Sequence, residues 1–264
     1  MGFSVGTIGF VGTGTIAAAM IEGLMLSGNE PIIVSPRNAD IAADLAARFP
    51  NVTIAADNQA VVDASDMVVL SVRPQIADEV LRPLNFRSDQ HVLSLIATIS
   101  LDYLHEVTAP AATVTRAVPL PPIARGEGPT AMFPPNARVK ALYDRLGTAI
   151  ELADESEFDV FSSATATMGA YFGFAHTIAA WMADKGVDAG QAHAFMAQLL
   201  VGLGGASPAT PGRSFADLAD EHQTRGGINE QVFRAITRGG VLPDLDAALD
   251  GVLTRLRAGR GIKD

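Results

Sequence analysis

The chain has 264 residues, 48% of them apolar and 18% charged, with a formal net charge of −10 and no cysteine. That length supports one large domain or two smaller ones with separate cores. The acidic balance argues against a nucleic-acid partner, and the lack of cysteine excludes disulfides, thiolate nucleophiles and cysteine metal sites.

The first element expected is a short apolar strand from Val5 to Val11, then a glycine turn and a helix from Thr15 to Leu26. The turn reads Gly12-x-Gly14-x-x-Ala17, the dinucleotide-binding spacing with alanine in third place. Gly12 permits the tight turn, Gly14 lets a pyrophosphate approach the backbone, and Ala17 lets the helix lie close on the strand. The helix start then aims N–H groups and the positive end of its dipole at the phosphates. The bland alternative is a plain structural turn. No Lys or Arg precedes Arg37, so the apolar start lacks the basic region of a signal peptide, and a cytoplasmic location is expected.

Pro31 to Val34 reads as a second strand, ending in Ser35-Pro36-Arg37-Asn38. A carboxylate at this position would bind the ribose 2′-OH of NAD. A hydroxyl and a guanidinium stand there instead and favour a 2′-phosphate, hence NADP, with NAD still possible. The competing reading of Arg37 is a solvated surface residue. Helices over Asp40–Arg48, Gln59–Ala64, Ile76–Leu84 and Leu101–Val107 alternate with strands over Val52–Ala55, Met67–Val72, His91–Ile96 and Thr113–Val118. Such alternation specifies an α/β fold with right-handed crossovers and a doubly wound parallel sheet.

Val118 to Pro135 breaks the rhythm with six prolines, which enforce extended or turn backbone. Two readings stay open: a ligand-facing loop at the carboxyl edge of the sheet, or a rigid connector. A helix (Asn136–Leu146) and a last strand (Ala149–Leu152) close the first domain, residues 1–153, and residues 154–264 read as helices only. Val160 to Ala183 carries no Asp, Glu, Lys or Arg. Its Ser, Thr, Ala and Gly, its central His176 and the absence of basic flanks argue against a membrane span. With the sparsely charged Ala189–Gly212, it suggests two helices buried on nearly all sides, partly by another subunit. Ala206 to Pro211 reads as a connector, and Phe215–Glu221 as a helix. The run Thr224-Arg225-Gly226-Gly227-Ile228-Asn229 opens another helix and reads either as a carboxylate nest or as simple capping by Asn229. The five histidines show no ligand-like spacing, so no metal site is expected.

Together these motifs resemble the pyrroline-5-carboxylate reductase family over nearly the whole chain. Ile8 to Ala17 is similar to its IGFIGxGxMA opening, which implies cofactor contacts at Gly9, Gly12, Gly14, Thr15, Ile16 and Ala17. Ser35-Pro36-Arg37 is similar to its S-x-R, and Asn58 stands where the family has an asparagine near the adenosine. Ser71-Val72-Arg73-Pro74 resembles A/S-V-K-P, and Leu95 to Ser100 the segment whose backbone, around Ala97, lines the cofactor. Pro119 to Thr130 is similar in part to the PNTP loop, Thr165 to Tyr171 to SGSGPAY, and Thr224 to Asn229 to SPGG-x-T. The departures fall in the substrate half: Leu120 and Pro121 replace the loop's asparagine and threonine, Arg225 a proline, and Asn229 a threonine.

The resemblance implies a Rossmann-type domain followed by an all-α dimerisation domain, forming a homodimer or a larger homo-oligomer through the C-terminal helices. The implied reaction is NADP-dependent hydride transfer to the C=N carbon of a small imino acid, 1-pyrroline-5-carboxylate. Gly226, Gly227, Arg225, Thr167 and Asn229 would bind the substrate, with Asn229 and Thr224 nearest the chemistry. Three alternatives remain: another imine, a 3-hydroxy or keto acid, and a non-catalytic NADP-binding protein. A carbonyl reductase on this scaffold would want a lysine on the first long helix of the second domain, but none lies between Lys140 and Lys185.

Overall fold

The computed structural model describes residues 6–209 and 212–260. Two compact units divide the chain, one ending at Phe158 and the next beginning at Asp159. The first contains β1 (Ile8–Val11), α1 (Thr15–Met25), β2 (Ile32–Val34), α2 (Ala39–Arg48), β3 (Val52–Ile54), α3 (Asn58–Asp63) and β4 (Met67–Leu70). It continues with α4 (Ala77–Leu81), β5 (His91–Ser94), α5 (Leu101–Thr108), β6 (Thr113–Pro119), β7 (Pro129–Phe133), α6 (Ala137–Arg145) and β8 (Thr148–Glu151). Val5 lies outside the described residues, and β1 begins three residues beyond it, at Ile8.

Eight strands form one sheet in the order β3-β2-β1-β4-β5-β6-β7-β8. The chain winds outward from β1 through β2 to β3, then returns to the other side of β1 at β4. This reversal opens a crevice at the carboxyl ends of β1 and β4, the place where open α/β sheets bind ligands. β1, β4 and β5 are buried at every position, as parallel strands covered on both faces must be. Each fully buried Val, Leu, Ile, Phe or Met side chain contributes about 1.5–3 kcal/mol over leaving it in water.

The proline-rich stretch, read as a ligand-facing loop or a rigid connector, also contains a strand that was not expected. Pro119 ends β6, Pro129 begins β7, and the two strands pair antiparallel, with Val118 opposite Ala131. The connection from Leu120 to Gly128 is shorter than the dozen or so residues a parallel crossover requires, so the chain must turn back. Pro121–Arg125 makes a 3-10 turn whose Ile123 is fully buried against α1. A side chain at Gly23 of α1 would overlap the Ile123 carbonyl, which explains the glycine there. The stretch therefore forms a packed turn at the carboxyl end of β6. α6 then carries the chain to β8, which pairs parallel to β7.

The second unit is helical. α7 (Glu157–Thr165) crosses the boundary and is followed by α8 (Met168–Asp184), α9 (Ala189–Ala209), α10 (Phe215–Glu221), α11 (Ile228–Arg238) and α12 (Val241–Arg260). α8 ends in a Schellman turn: Gly186 has φ +93°, its N–H donates to Ala183 O at 2.9 Å, and the Val187 N–H donates to Met182 O at 3.1 Å. Asp188 caps the start of α9 by accepting from the Gln191 N–H at 3.0 Å. The two helices therefore form a hairpin with a short turn, and they pack together. One expectation fails here. α9 runs on through Ala209, so the connector expected from Ala206 is helix as far as the described residues reach, Thr210 and Pro211 lying outside them. α8 has no buried residue within this chain, and its Phe172 and Trp181 are 69% and 60% exposed. No helix among the described residues is long and apolar enough to cross a membrane.

Candidate functional site

The glycine turn sits at the crevice and is gripped from both flanking strands. Beyond β2, the buried Ser35 hydroxyl accepts the Gly12 N–H at 3.0 Å, and the Thr13 hydroxyl donates to the Ser35 carbonyl at 2.9 Å. Beyond β4, the Ser71 hydroxyl donates to the Gly12 carbonyl. Gly12 has φ +97°, and a Cβ there would come within 2.9 Å of the Ser71 backbone. Only glycine fits such a position without strain.

Gly14 is different. Its φ is −95°, open to any residue, and a Cβ on it would meet nothing within 4 Å among the described residues. The space above it is therefore free for a ligand rather than filled by protein. Gly14 is also the N-cap of α1, with no side-chain cap and no acidic residue in the first turn. An uncapped helix start beside open space suits a diphosphate, so the residues present fit a pyridine dinucleotide. Thr15 is exposed, Ile16 half-buried and Ala17 fully buried against the sheet. Gly9 lies inside β1, where a side chain would overlap Val61 of α3 and Ser65 just beyond that helix, so close packing requires a glycine here.

The remaining sequence-derived cofactor residues lie along the same edge or on its loops. Ser35 is withdrawn from the surface and holds the turn, while Arg37 is exposed two residues beyond it. Asn58 is half-buried at the start of α3, which Asp57 caps by accepting the Ala60 N–H at 2.8 Å. Ser71 and Val72 are half-buried and Arg73 exposed, and Pro74 opens a 3-10 turn. Ala97 is exposed in the loop after β5, and its carbonyl accepts from Arg116 Nη2 at 2.7 Å. Arg116 was missed in the sequence, although a lone charge in an apolar strand is a signal. It is 1% exposed, pairs with Glu155 and lies 4.6 Å from the Phe158 ring centre.

In the helical unit, Thr167 precedes α8 and its hydroxyl donates to Ala164 O at 2.7 Å. Thr224 to Asn229 forms the turn into α11, with Gly226 at φ +77° and Gly227 as N-cap. The Gly227 N–H donates to Thr224 O at 2.7 Å, and the Gly226 N–H to Glu230 Oε2 at 2.7 Å. Asn229 Nδ2 donates to the His222 carbonyl at 2.9 Å, and Arg225 is exposed. These donors are engaged within the turn, so an anionic ligand at Gly226 would displace the Glu230 carboxylate. A hollow of about 290 Å³ beside it is lined by Gly226, Gly227, Glu230, Arg234 and Arg238.

Comparison with known proteins assigns both units. Residues 7–98 match a family model described as NADP oxidoreductase coenzyme F420-dependent, and residues 155–258 one described as pyrroline-5-carboxylate reductase dimerisation. A pyrroline-5-carboxylate reductase from Pisum sativum is 30% identical over 95% of this chain and 95% of its own. The chain belongs to the pyrroline-5-carboxylate reductase family. Its members are NAD(P)-dependent oxidoreductases, which accords with the open space above Gly14. The relative from Haemophilus influenzae is 32% identical over 62% of this chain, a stretch covering 64% of that protein's length. A crystal structure of Plasmodium falciparum pyrroline carboxylate reductase with NADP bound matches the fold with a TM-score of 0.78, at 17% identity, over 97% of this chain and 99% of that one. The dimerisation model over the second unit supports a homo-oligomer.

Proposed function

We propose that this chain reduces a cyclic imino acid, 1-pyrroline-5-carboxylate, to proline at the expense of NADPH, and that it works as a homodimer formed through its helical unit. The observation that carries the reading is the uncapped start of α1 beneath open space at Gly14, in a chain whose family likeness spans both units. When bound, the cofactor supplies a hydride to the C=N carbon. Gly12, Gly14 and the first turn of α1 would hold its diphosphate, and the exposed Arg37 would pair with a 2′-phosphate. Ser35 acts indirectly, by fixing the turn through the Gly12 N–H.

A protonated imine is already an electrophile, so the chain need only hold and orient it. Among the substrate residues, the Gly226 N–H exchanges the Glu230 carboxylate for that of the substrate, Arg225 supplies a counter-charge, and Thr167, Thr224, Gly227 and Asn229 complete the polar contacts. One observation favours a second reading. Asn229, which replaces a family threonine, spends its amide on the His222 carbonyl, so a different imino acid of similar charge is the closest rival.

Following NADPH absorbance with a panel of cyclic imines, linear imines and keto acids tests the proposal. Turnover with pyrroline-5-carboxylate supports it. Turnover with another imine alone moves the substrate, and turnover with ketones alone overturns the C=N chemistry.

A further inference from the structure

A guanidinium withdrawn from water costs free energy unless other groups replace its hydration shell, and apolar residues often fill such a place at no loss of stability. Arg116 is 1% exposed, so its retention calls for a reason beyond filling the core. Its fork reaches two groups that are far apart in sequence. Nη1 pairs with Glu155, and Nη2 donates to the Ala97 carbonyl at 2.7 Å. The same Glu155 oxygen, Oε1, also accepts the Leu101 N–H at 2.7 Å, at the first residue of α5. One ion pair thus holds both ends of the segment from Ala97 to Leu101. Phe158 covers the guanidinium at 4.6 Å, and Ile96 and Ile99 are sunk in the core while Ala97 and Thr98 stay exposed.

That segment lies at the carboxyl end of β5, on the far side of β1 from β2. In a dinucleotide crevice the adenosine half lies toward the end of β2 and the diphosphate over the glycine turn, which leaves β4 and β5 for the nicotinamide half. Resting on the NADP-dependent reading above, we infer that Arg116 and Glu155 are positioning residues that fix the Ala97–Leu101 loop against the nicotinamide end of the cofactor. They touch neither cofactor nor substrate in this role. They set the loop's position, to which hydride transfer is sensitive at the level of an ångström.

The test uses the full-length chain, with Arg116→Lys and Glu155→Gln as variants. Lysine keeps a charge but cannot reach Glu155 and Ala97 with one planar fork, and glutamine keeps an acceptor for Leu101 while losing the ion pair. The readouts are the fluorescence gain of bound NADPH, which reports on the nicotinamide ring, the Kd for adenosine 2′,5′-bisphosphate, which reports on the other half, and kcat. Arg116→Lys should lower the fluorescence gain about threefold or more and kcat by about 10- to 100-fold, with Glu155→Gln in the same direction. Affinity for the bisphosphate should stay within about twofold, because the glycine turn and Arg37 share no partner with Arg116. If Arg116→Lys does not fold, Glu155→Gln decides. Unchanged fluorescence gain and kcat, or equal losses at both halves of the cofactor, would overturn the inference alone. Failure of the wild-type chain to bind NADPH would sink the cofactor reading and this inference together.

Discussion

The two units use apolar sequence in opposite ways. In the sheet unit, Met67 to Leu70 is buried at every position by the chain's own helices. In the helical unit, α8 carries no Asp, Glu, Lys or Arg before its last residue, Asp184, yet none of its residues is buried within this chain, and Phe172 and Trp181 lie largely in the open. Exposed aromatic surface on this scale marks an interface. The first unit completes its own core, while the second leaves a core for another subunit to complete.

That contrast can be broken most forcefully at α8. Replacing Phe172 and Trp181 together by Asp should abolish self-association, since a central aromatic anchor is worth about 2–4 kcal/mol and a buried unpaired carboxylate costs more still. Sedimentation would show the mass falling to that of a single chain. An unchanged mass would mean that α8 is not the shared surface. The same substitutions should leave NADPH binding to the sheet unit intact.

Two glycines of one turn sharpen the claim that the sheet unit is both self-sufficient and built around a ligand. Gly14→Val should fold normally, because a side chain there meets only open space, yet weaken NADPH by about 100-fold or more. Gly12→Ala should instead lower stability by about 2 kcal/mol, because φ of +97° and the Ser71 backbone both oppose a Cβ. Thermal melts beside NADPH titrations separate the two, and a Gly14→Val chain that binds normally would place the ligand elsewhere.

A smaller effect concerns pH. His91, in β5, is pushed down to about 4 by burial and by the Arg138 charge, and its Nε2 lies 3.0 Å from the Thr115 hydroxyl. The unfolded chain takes up this proton near pH 6.5 and the folded chain only near 4. Stability from this group is therefore complete above about pH 6.5 and falls with pH down to about 4. Urea midpoints of the wild type should show a steeper fall across that window than those of His91→Gln. Parallel curves would remove His91 from the account.

The legible parts of the chain were those where one residue type has one physical meaning. Gly12, Gly14 and Ala17 announced the turn, and the uninterrupted apolar runs announced strands buried on both faces. β7 was hidden because proline normally argues against a strand, and only the pairing with β6 shows that Pro119 and Pro129 stand at strand ends. Ser35 read as a phosphate ligand because sequence does not reveal that its hydroxyl turns inward to Gly12. The Arg116–Glu155 pair joins residues 39 positions apart, a contact that local pattern does not encode. In the helical unit, the glycine pair and Asn229 read equally as a carboxylate nest or as helix capping, and only family resemblance made them substrate residues; their donors are engaged by Glu230 and by the carbonyls of Thr224 and His222.

The most direct measurement is a titration of the purified full-length chain with NADPH and with NADH, followed by the fluorescence of the reduced nicotinamide. The account predicts saturable binding of NADPH, tighter than that of NADH because Arg37 meets the 2′-phosphate. Absence of binding by both nucleotides would contradict it outright.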